Sequence, residues 1–405
     1  MSKELPLEGV VIADFTWIGA GAYTTKMLGD LGADVIKIES SVYPDSLRLS
    51  APFKDKKPGI NRSGYFADRN TSKRSVVVNL KDPEGISLVK RLIAGADIVA
   101  NNFTPGTMEK LGLGYDDLSR DRQDLIYLSM STQGAEGPES NAVGYGLTIS
   151  ALTGLYHMSG LPGMEPAGTG TNYPDHIPNP GHAAFAILAA LRHRRRTMQG
   201  QRIDIAQTEP TIAMLANAVI RQSANNVNTG PNGNRIDGAA PRGVYPCAGH
   251  DRWIAISVSS DANWMRLAEV LGQDLDRPEW QTHDGRDADQ DAIDDTIAVR
   301  TAERDAFDLM AALQARGIAA GVVQASKDIV ADDPQLQHMG HWRRLDHGEM
   351  GEMTFNGLPF RFQGAELGPH SAAPLLGEHT REVLRERLGL SETEINSLDE
   401  RGVLK

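Results

Sequence analysis

The chain has 405 residues, of which 40% are hydrophobic, and its formal net charge is −12. This length exceeds that at which a single hydrophobic core stops growing, so it predicts two domains or one large domain with an insertion, and the acidic balance argues against a nucleic-acid partner. A single cysteine, Cys247, excludes a disulfide framework and a cysteine-based metal cluster. The first residues lack a signal-peptide pattern, and no stretch is apolar enough to span a membrane, so we expect a cytoplasmic protein without membrane partners.

The N-terminal stretch predicts a βαβ unit. The apolar run 9–14 is typical of a strand, residues 23–31 have helical character, and residues 34–39 predict a second strand. The turn after the first strand can hold an anionic group at the helix N-terminus. It contains Gly19 and Gly21 but no GxGxxG pattern, so alone it does not identify a nucleotide site.

Strands and helices continue to alternate through the first half of the chain. Further strands are predicted at 76–80, 97–100 and 125–130, with a helix at 83–94 and a long irregular loop at 41–69, and residues 202–205 form a short alternating segment. This alternation predicts an α/β fold with a mostly parallel sheet. Ligands of such sheets bind beyond the carboxyl ends of the strands, where this sequence carries Trp17, Asn102, Phe103 and Gly134.

One carboxylate, Asp175, lies in a segment interrupted by proline and glycine. It directly precedes a predicted helix at 183–191 and a basic run at 192–196, which is typical of a helix C-terminus. A loop held in this way often presents a functional side chain. The same residue is also consistent with a turn aspartate that caps the next helix, and the residues alone leave both interpretations open.

The second half of the chain predicts a smaller α/β domain with strands at 253–259 and 319–323. No GxSxG or P-loop motif occurs. His338, His341 and His347 lack the carboxylate spacing of a zinc site, so no metal is expected. The residues alone indicate an α/β enzyme for an anionic or nucleotide-like ligand, or a non-catalytic nucleotide-binding module.

Five segments give a more specific indication, because their order and spacing resemble the family III CoA-transferases, which include formyl-CoA transferase, carnitine CoA-transferase and BaiF-like proteins. The segments are 7–39, 70–80, 96–118, 174–209 and 373–384. The resemblance implies a Rossmann-like large domain, a smaller α/β domain, long linkers and an interlocked, ring-like homodimer. The expected boundaries are 1–210 for the large domain, 226–325 for the small domain, 326–370 for a returning linker, and 371–405 for the last part of the large domain.

The resemblance also assigns roles to residues. Asp175 matches the nucleophile of the family. The positions that match CoA-binding residues are Ile18, Gly19, Ala20, Ser40, Lys73, Asn102, Phe103 and Lys110. Ser40 replaces an arginine of formyl-CoA transferase, so that phosphate contact is either lost or supplied by Arg48. Trp17, Gly134 and Tyr145 are expected at the substrate pocket.

The reaction implied by the resemblance moves CoA from an acyl-CoA thioester to a small carboxylic acid. It uses an anhydride and a CoA thioester of Asp175, with coenzyme A as substrate and product and without a metal. The alternative is an acyl-CoA racemase or isomerase on the same scaffold. Tyr145 stands where the racemases carry a histidine, which argues against that alternative because proton exchange at the α-carbon needs a second group.

Overall fold

The computed structural model describes residues 4–405, which form two compact units. The large unit contains the chain up to Tyr156, Thr169–Asn228 and Gln335–Lys405, and the small unit contains His157–Gly168 and Thr229–Pro334. Within residues 4–405, no helix has the length and apolar character needed to cross a membrane.

A parallel sheet of six strands forms the centre of the large unit. The strands are β1 (Val11–Asp14), β2 (Asp34–Glu39), β3 (Lys73–Val77), β4 (Ile98–Asn101), β5 (Ile126–Ser131) and β6 (Gln201–Ala206). Their order is β3-β2-β1-β4-β5-β6, and every neighbouring pair is parallel. The order reverses between β1 and β4, so the crevice beyond their carboxyl ends is where a sheet of this kind binds its ligand. The expected α/β fold with a parallel sheet is confirmed.

The first ten helices of the described chain belong to the large unit, and several of them pack on the two faces of this sheet. They are α1 (Ala20–Gly29), α2 (Gly64–Arg69), α3 (Pro83–Ala94), α4 (Thr107–Lys110), α5 (Tyr115–Leu118), α6 (Gly146–Leu152), α7 (Tyr173–His176), α8 (Pro178–Thr197), α9 (Thr208–Met214) and α10 (Ala216–Asn225), with 3₁₀ turns at Ser46–Leu49 and Lys54–Lys56. Alternate strand residues enter two different cores. Leu88 of α3 packs in one core, and Leu28 of α1 and Ile187 of α8 pack in the other.

The small unit has its own antiparallel sheet and core. Its strands are β7 (Arg242–Pro246), β8 (Trp253–Ser257) and β9 (Ala319–Val322), and its helices are α11 (Asp261–Leu271), α12 (His283–Ala288), α13 (Gln290–Thr301) and α14 (Ala306–Gln314), with short turns at Gln273–Leu275, Pro278–Trp280 and Asp328–Asp332. Trp264 and Trp280 are fully buried and meet edge to face, with ring centroids 6.1 Å apart. This aromatic pair is the centre of an independent core.

The remaining elements follow the small unit in the chain. They are α15 (Pro334–His338), the antiparallel strands β10 (Trp342–His347) and β11 (Gly351–Asn356), α16 (Thr380–Leu388) and α17 (Glu392–Glu400). Val383 and Leu384 of α16 join the core above the parallel sheet. The segment expected as a returning linker therefore contains a β-hairpin.

Two expectations about local structure need correction. The helix expected at 183–191 begins at Pro178 and ends at Thr197, because the first turn of a helix accepts prolines, whose missing N–H groups have no partner there. The loop expected at 41–69 contains α2 and two 3₁₀ turns, which are too short to show a helical period in the sequence. The basic run 192–196 lies in the last turns of α8, as predicted.

Candidate active site

The large unit has a cleft with a volume of about 180 Å³ beside the carboxyl ends of β1 and β4. It brings together eight residues that the sequence had indicated for the site. These are Trp17, Ile18, Gly19, Ala20, Asn102, Phe103, Tyr145 and Asp175. The first four follow β1, and Asn102 and Phe103 follow β4, so the reversal of strand order creates the cleft.

Asp175 is the one charged side chain among the described residues that line this cleft. It sits on the single-turn helix α7 and is only 5% exposed. Burial raises the pKa of its carboxyl to about 6, against the opposing effects of a hydrogen bond from the Gly146 backbone and the charge of Arg69. The group is therefore mostly ionised at neutral pH, although it is largely shielded from water.

Two glycines press their backbones against Asp175. A Cβ on Gly19 would lie 2.7 Å from the Cβ of Asp175, and one on Gly146 would lie 2.6 Å from its Oδ2. Any larger residue at either position would displace the carboxylate. The Gly146 N–H donates a hydrogen bond to that carboxylate, so this backbone both restricts the position of the carboxylate and stabilises its charge.

Asn102 fastens the turn after β1 to the end of β4. Its Oδ1 accepts from the Trp17 N–H at 2.8 Å, and its Nδ2 donates to the Trp17 carbonyl at 2.7 Å. The Trp17 and Phe103 rings meet edge to face, with centroids 5.6 Å apart. The two strand ends thus form one rigid side of the cleft.

Arg69 and His176 form a polar cluster near the nucleophile candidate. Arg69 Nη2 lies 3.0 Å from His176 Nδ1, and since a guanidinium can only donate, the imidazole carries its proton on Nε2. Burial and the charge of Arg69 lower the pKa of His176 to about 4, so the ring is neutral at physiological pH. The Tyr65 ring lies edge-on to the imidazole at 6.2 Å, and burial raises the pKa of its hydroxyl.

Comparison with known proteins identifies the family. The family model described as CoA-transferase family III matches residues 7–380. The chain belongs to CoA-transferase family III. It is 31% identical to the succinyl-CoA:glutarate CoA-transferase of Mus musculus, over 99% of this chain and 90% of that protein. It is 29% identical to the succinyl-CoA–D-citramalate CoA-transferase of Chloroflexus aurantiacus, over 98% of both chains.

The solved structures agree with this assignment. The crystal structure of a CAIB/BAIF family protein from Brucella suis superposes with a TM-score of 0.86 at 30% identity, covering 95% of this chain and 100% of that one. The protein is therefore an acyl-CoA:carboxylate CoA-transferase, as the resemblance had indicated.

Lys73 of this family III chain, which the resemblance places near the CoA phosphates, has its ammonium group inside the protein. Its Nζ is buried and has four acceptors within hydrogen-bonding distance: Asp14 Oδ2 at 3.0 Å, the Ala22 carbonyl at 2.9 Å, Thr25 Oγ1 at 2.8 Å and Asn70 Oδ1 at 3.0 Å. An ammonium group can donate only three hydrogen bonds, so no donor remains for a ligand. The structure therefore offers no free donor for the phosphate contact expected of Lys73, which stays a prediction.

Arg48 is equally unavailable as a substitute for the arginine that Ser40 replaces. Its guanidinium is fully buried, forms a two-pronged ion pair with Glu39 at 2.9 and 2.7 Å, and lies 3.7 Å from the centre of the Phe66 ring. Ser40 itself is half-buried, and its hydroxyl accepts from the backbone N–H groups of Val42 and Tyr43.

Two other expected site residues lie outside the cleft lining. Lys110 is exposed at the end of α4, where its ammonium is open to a ligand. Gly134 is buried with φ +83°, and a Cβ there would contact Ala206 of β6 rather than the cleft. A structural turn therefore accounts for Gly134.

Several lining residues were missed from the sequence. Ser131 and Thr132 at the end of β5, and Gln207 after β6, contribute polar groups. Gln207 Nε2 donates to the Met130 carbonyl at 2.9 Å and Thr132 Oγ1 donates to the Gly144 carbonyl at 3.2 Å, whereas the Ser131 hydroxyl is buried without a partner. Their position at the carboxyl ends of parallel strands, where such sheets bind ligands, was the sequence feature that could have indicated them. Across residues 4–405, no group of three or more His, Cys, Asp or Glu side chains is arranged to hold a metal ion.

Proposed function

We propose that this CoA-transferase exchanges CoA between a dicarboxylyl-CoA, such as succinyl-CoA, and a small carboxylic acid, with Asp175 as the nucleophile. The observation that carries the proposal is a buried carboxylate, 5% exposed, in the ligand crevice of the sheet. Its pKa of about 6 leaves it ionised at neutral pH and poorly solvated, which suits a carboxylate nucleophile. The substrates named for the two relatives support a four- or five-carbon diacid.

In the first half of the reaction, a carboxylate oxygen of Asp175 attacks the thioester carbonyl of the donor. The carbon–sulfur bond breaks, which gives a mixed anhydride and the CoA thiolate. The thiolate then attacks the Asp175 carbonyl of this anhydride, the carbon–oxygen bond breaks, and the donor leaves as a free carboxylate. Asp175 is now a CoA thioester.

The second half reverses these steps with the acceptor. A carboxylate oxygen of the acceptor attacks the Asp175 thioester and releases the CoA thiolate, which leaves an anhydride between Asp175 and the acceptor. The thiolate attacks the acceptor carbonyl of that anhydride, so the new acyl-CoA forms and the Asp175 carboxylate is regenerated. No proton and no external energy source enter the balance.

The surroundings of Asp175 suit a group that alternates between anion and acyl carrier. The Gly146 N–H and the charge of Arg69 both favour the ionised carboxylate. Burial has the opposite effect and disfavours the ionised form. The balance of these effects gives a carboxylate that can act as the nucleophile in one step and as the leaving group in another. The backbone donor is held by the start of α6 and needs no reorganisation during the reaction.

Positions carried over from the family suggest where CoA binds. Residues 18–20 and the pair Asn102–Phe103 lie on the cleft wall, so we assign them to the pantetheine arm. Lys110 is exposed and is the remaining carried-over cation for a CoA phosphate. Ser40 and Lys73 are not assigned to the phosphates, because their polar groups are used within the protein.

We further propose that the enzyme is a cytoplasmic, interlocked homodimer, as the family resemblance implies. Large apolar side chains on α8 and α10 support an extensive partner surface. Phe185 is 74% exposed and Ile220 is 62% exposed. Sedimentation velocity would show a dimer, and a monomer at micromolar concentration would contradict this part of the proposal.

The racemase or isomerase alternative receives no support from the site. Tyr145, at the position that corresponds to the racemase histidine, is 58% exposed at the cleft and carries a phenol in place of an imidazole. The relatives from Mus musculus and Chloroflexus aurantiacus are both named as CoA-transferases.

Exchange of isotope tests the proposed function directly. Incubation of succinyl-CoA with ¹³C-labelled glutarate or succinate should place label in the CoA thioester, as read by mass spectrometry. Asp175→Ala and Asp175→Asn should abolish exchange, whereas Asp204→Asn, at a carboxylate that accepts from the Ala135 N–H outside the cleft, should retain it. Borohydride added with the donor should reduce the Asp175 thioester of the wild type. Full exchange by Asp175→Ala would exclude the mechanism.

A further inference from the structure

The turn that leads from β1 into the cleft has an unfavourable backbone conformation. Ile18 has φ +59°, in the left-handed region, which a β-branched residue rarely adopts. Such a conformation persists only where the surrounding structure enforces it. The neighbouring residue in this turn, Gly19, lies against Asp175.

Asp45 supplies the contact that enforces this conformation. The Ile18 N–H donates to its carboxylate, at 3.2 Å to Oδ1 and 3.4 Å to Oδ2. The Asp45 side chain is completely buried, and its Oδ1 also accepts from the Leu47 N–H at 3.0 Å. Asp45 does not line the cleft, so it acts on the turn rather than on a ligand.

Lys37 on β2 completes the clamp. Its Nζ lies 3.1 Å from Asp45 Oδ2 and donates to the Thr16 carbonyl at 2.6 Å. Both charged side chains are fully buried. One ammonium thus neutralises Asp45 and tethers the turn two residues before Ile18. In a buried pair of this kind, the loss of one charge leaves the other uncompensated, so the geometry is strongly enforced.

We propose that Asp45, held by Lys37, is a positioning residue of the transferase: it fixes the turn 16–19 so that the Gly19 backbone confines the Asp175 carboxylate. The inference rests on the proposed role of Asp175. It assigns a function to an ion pair that contacts neither CoA nor the acyl group. If the turn relaxes, the space between Gly19 and Asp175 opens, and the nucleophile gains both freedom and water.

Asp45→Asn is the primary test, because it removes the charge and retains an oxygen that can help to preserve the fold. We expect kcat to fall by roughly tenfold or more, since small misplacements of a reacting group have effects of this size. The KM for acyl-CoA should change by less than about threefold. The acid limb of the pH–rate profile should also move to lower pH, because water that reaches Asp175 removes part of the burial effect.

Asp30→Asn is the matched control. Asp30 forms a similarly buried ion pair with Lys26 and also accepts from the Ser72 hydroxyl, but it has no contact with the turn 16–19. Both variants should lose thermal stability, and only Asp45→Asn should change kcat and the pH profile. An Asp45→Asn enzyme that retains kcat within twofold at a temperature where it is folded would overturn the proposal.

Rescue provides the second test. Glycine adopts the left-handed conformation without strain, so Ile18→Gly should raise kcat at least threefold when it is added to Asp45→Asn. The same substitution should produce no such gain in the wild type. Equal effects of Ile18→Gly in the two backgrounds would contradict the clamp.

Hydrogen exchange gives a readout that does not depend on activity. Peptides that cover residues 15–23 should exchange faster in Asp45→Asn than in the wild type, and at the wild-type rate in Asp30→Asn. If the wild type does not transfer CoA, the proposed function fails while this measurement still decides whether Asp45 fixes the turn. Unchanged exchange in Asp45→Asn would overturn the inference.

Discussion

Gly19 and Asp175 are in direct contact: a methyl group on Gly19 would lie 2.7 Å from the Cβ of Asp175 and 2.9 Å from its Oδ2. Gly19→Ala must therefore push the carboxylate out of position. We expect kcat to fall about 100-fold and the free energy of unfolding to fall by about 1–3 kcal/mol, as for other overpacked sites. Steady-state kinetics and urea unfolding measure the two effects.

Gly181→Ala is the control for Gly19→Ala. A Cβ on Gly181 meets nothing within 4 Å, and this residue is exposed within α8. The substitution should leave kcat unchanged and should stabilise slightly, because alanine favours the helix. Equal activity of the two variants would contradict the contact between Gly19 and Asp175.

The pH dependence of transfer should report Asp175. Its pKa is raised to about 6, so kcat/KM should be constant above about pH 7 and should fall as pH decreases through 6, toward tenfold per unit. A limb near pH 6 is often ascribed to histidine, but burial and Arg69 lower the pKa of His176 to about 4. The limb should therefore persist in His176→Gln, and its disappearance in that variant would assign it to the imidazole.

Removal of the Asp175 charge should stabilise the folded protein. The raised pKa means that the folded state binds a proton more tightly than the unfolded state, so stability falls as pH rises from about 4 to 6 and stays lower above that window. At pH 8, Asp175→Asn should increase the free energy of unfolding by about 3 kcal/mol, with a smaller difference at pH 4. Thermal melting at the two pH values measures this, and a variant less stable than the wild type at pH 8 would contradict it.

The strands were predictable because the parallel sheet is buried on both faces. The run 34–39 is almost wholly buried, and Val35, Ile36 and Ile38 indicated β2 with its observed bounds, although it also contains buried charged residues. The strand expected at 76–80 begins and ends three residues earlier, at Lys73–Val77, because the polar residues 73–75 belong to the strand and their polar groups are paired inside the fold. The pattern of hydrophobic residues does not locate the start of a strand whose first buried residues are polar.

The site was predictable to the extent that strand ends and family segments locate it. Trp17, Asn102 and Asp175 meet in one cleft, which the parallel topology explains. The partner of Lys73 was not predictable, because Asp14 is 59 residues away in the sequence and the pair forms only when strands align. The same holds for Arg69 and His176, which are 107 residues apart.

Substitution of Lys73 should lower stability without weakening CoA binding, whereas substitution of Lys110 should weaken CoA binding without lowering stability. Lys73→Met leaves Asp14 buried without its ammonium partner, so we expect a loss of about 3–5 kcal/mol in the free energy of unfolding. At a temperature where the variant is folded, the dissociation constant of CoA should change less than threefold. Lys110→Ala should leave stability unchanged and weaken CoA binding several-fold, because this lysine is exposed and free to contact a phosphate. Calorimetric titration of each folded variant with CoA measures the dissociation constants. If only Lys73→Met lost CoA binding, Lys73 would contact a CoA phosphate, as the family resemblance implies.

Ser131 and Ser150 are both buried serines of the same unit, and they differ in one respect. The Ser150 hydroxyl donates to the Gly146 carbonyl at 2.7 Å, whereas the Ser131 hydroxyl has no partner. Ser150→Ala should therefore lower the free energy of unfolding by about 1 kcal/mol, and Ser131→Ala should leave it equal or raise it by a similar amount, because no hydrogen bond is lost and a desolvated group is removed. Urea unfolding of both variants measures the difference. Ser131 lines the cleft and Ser150 does not, so the KM for acyl-CoA should rise in Ser131→Ala and not in Ser150→Ala. A destabilisation of Ser131→Ala as large as that of Ser150→Ala would show that the hydroxyl has a partner in the free enzyme.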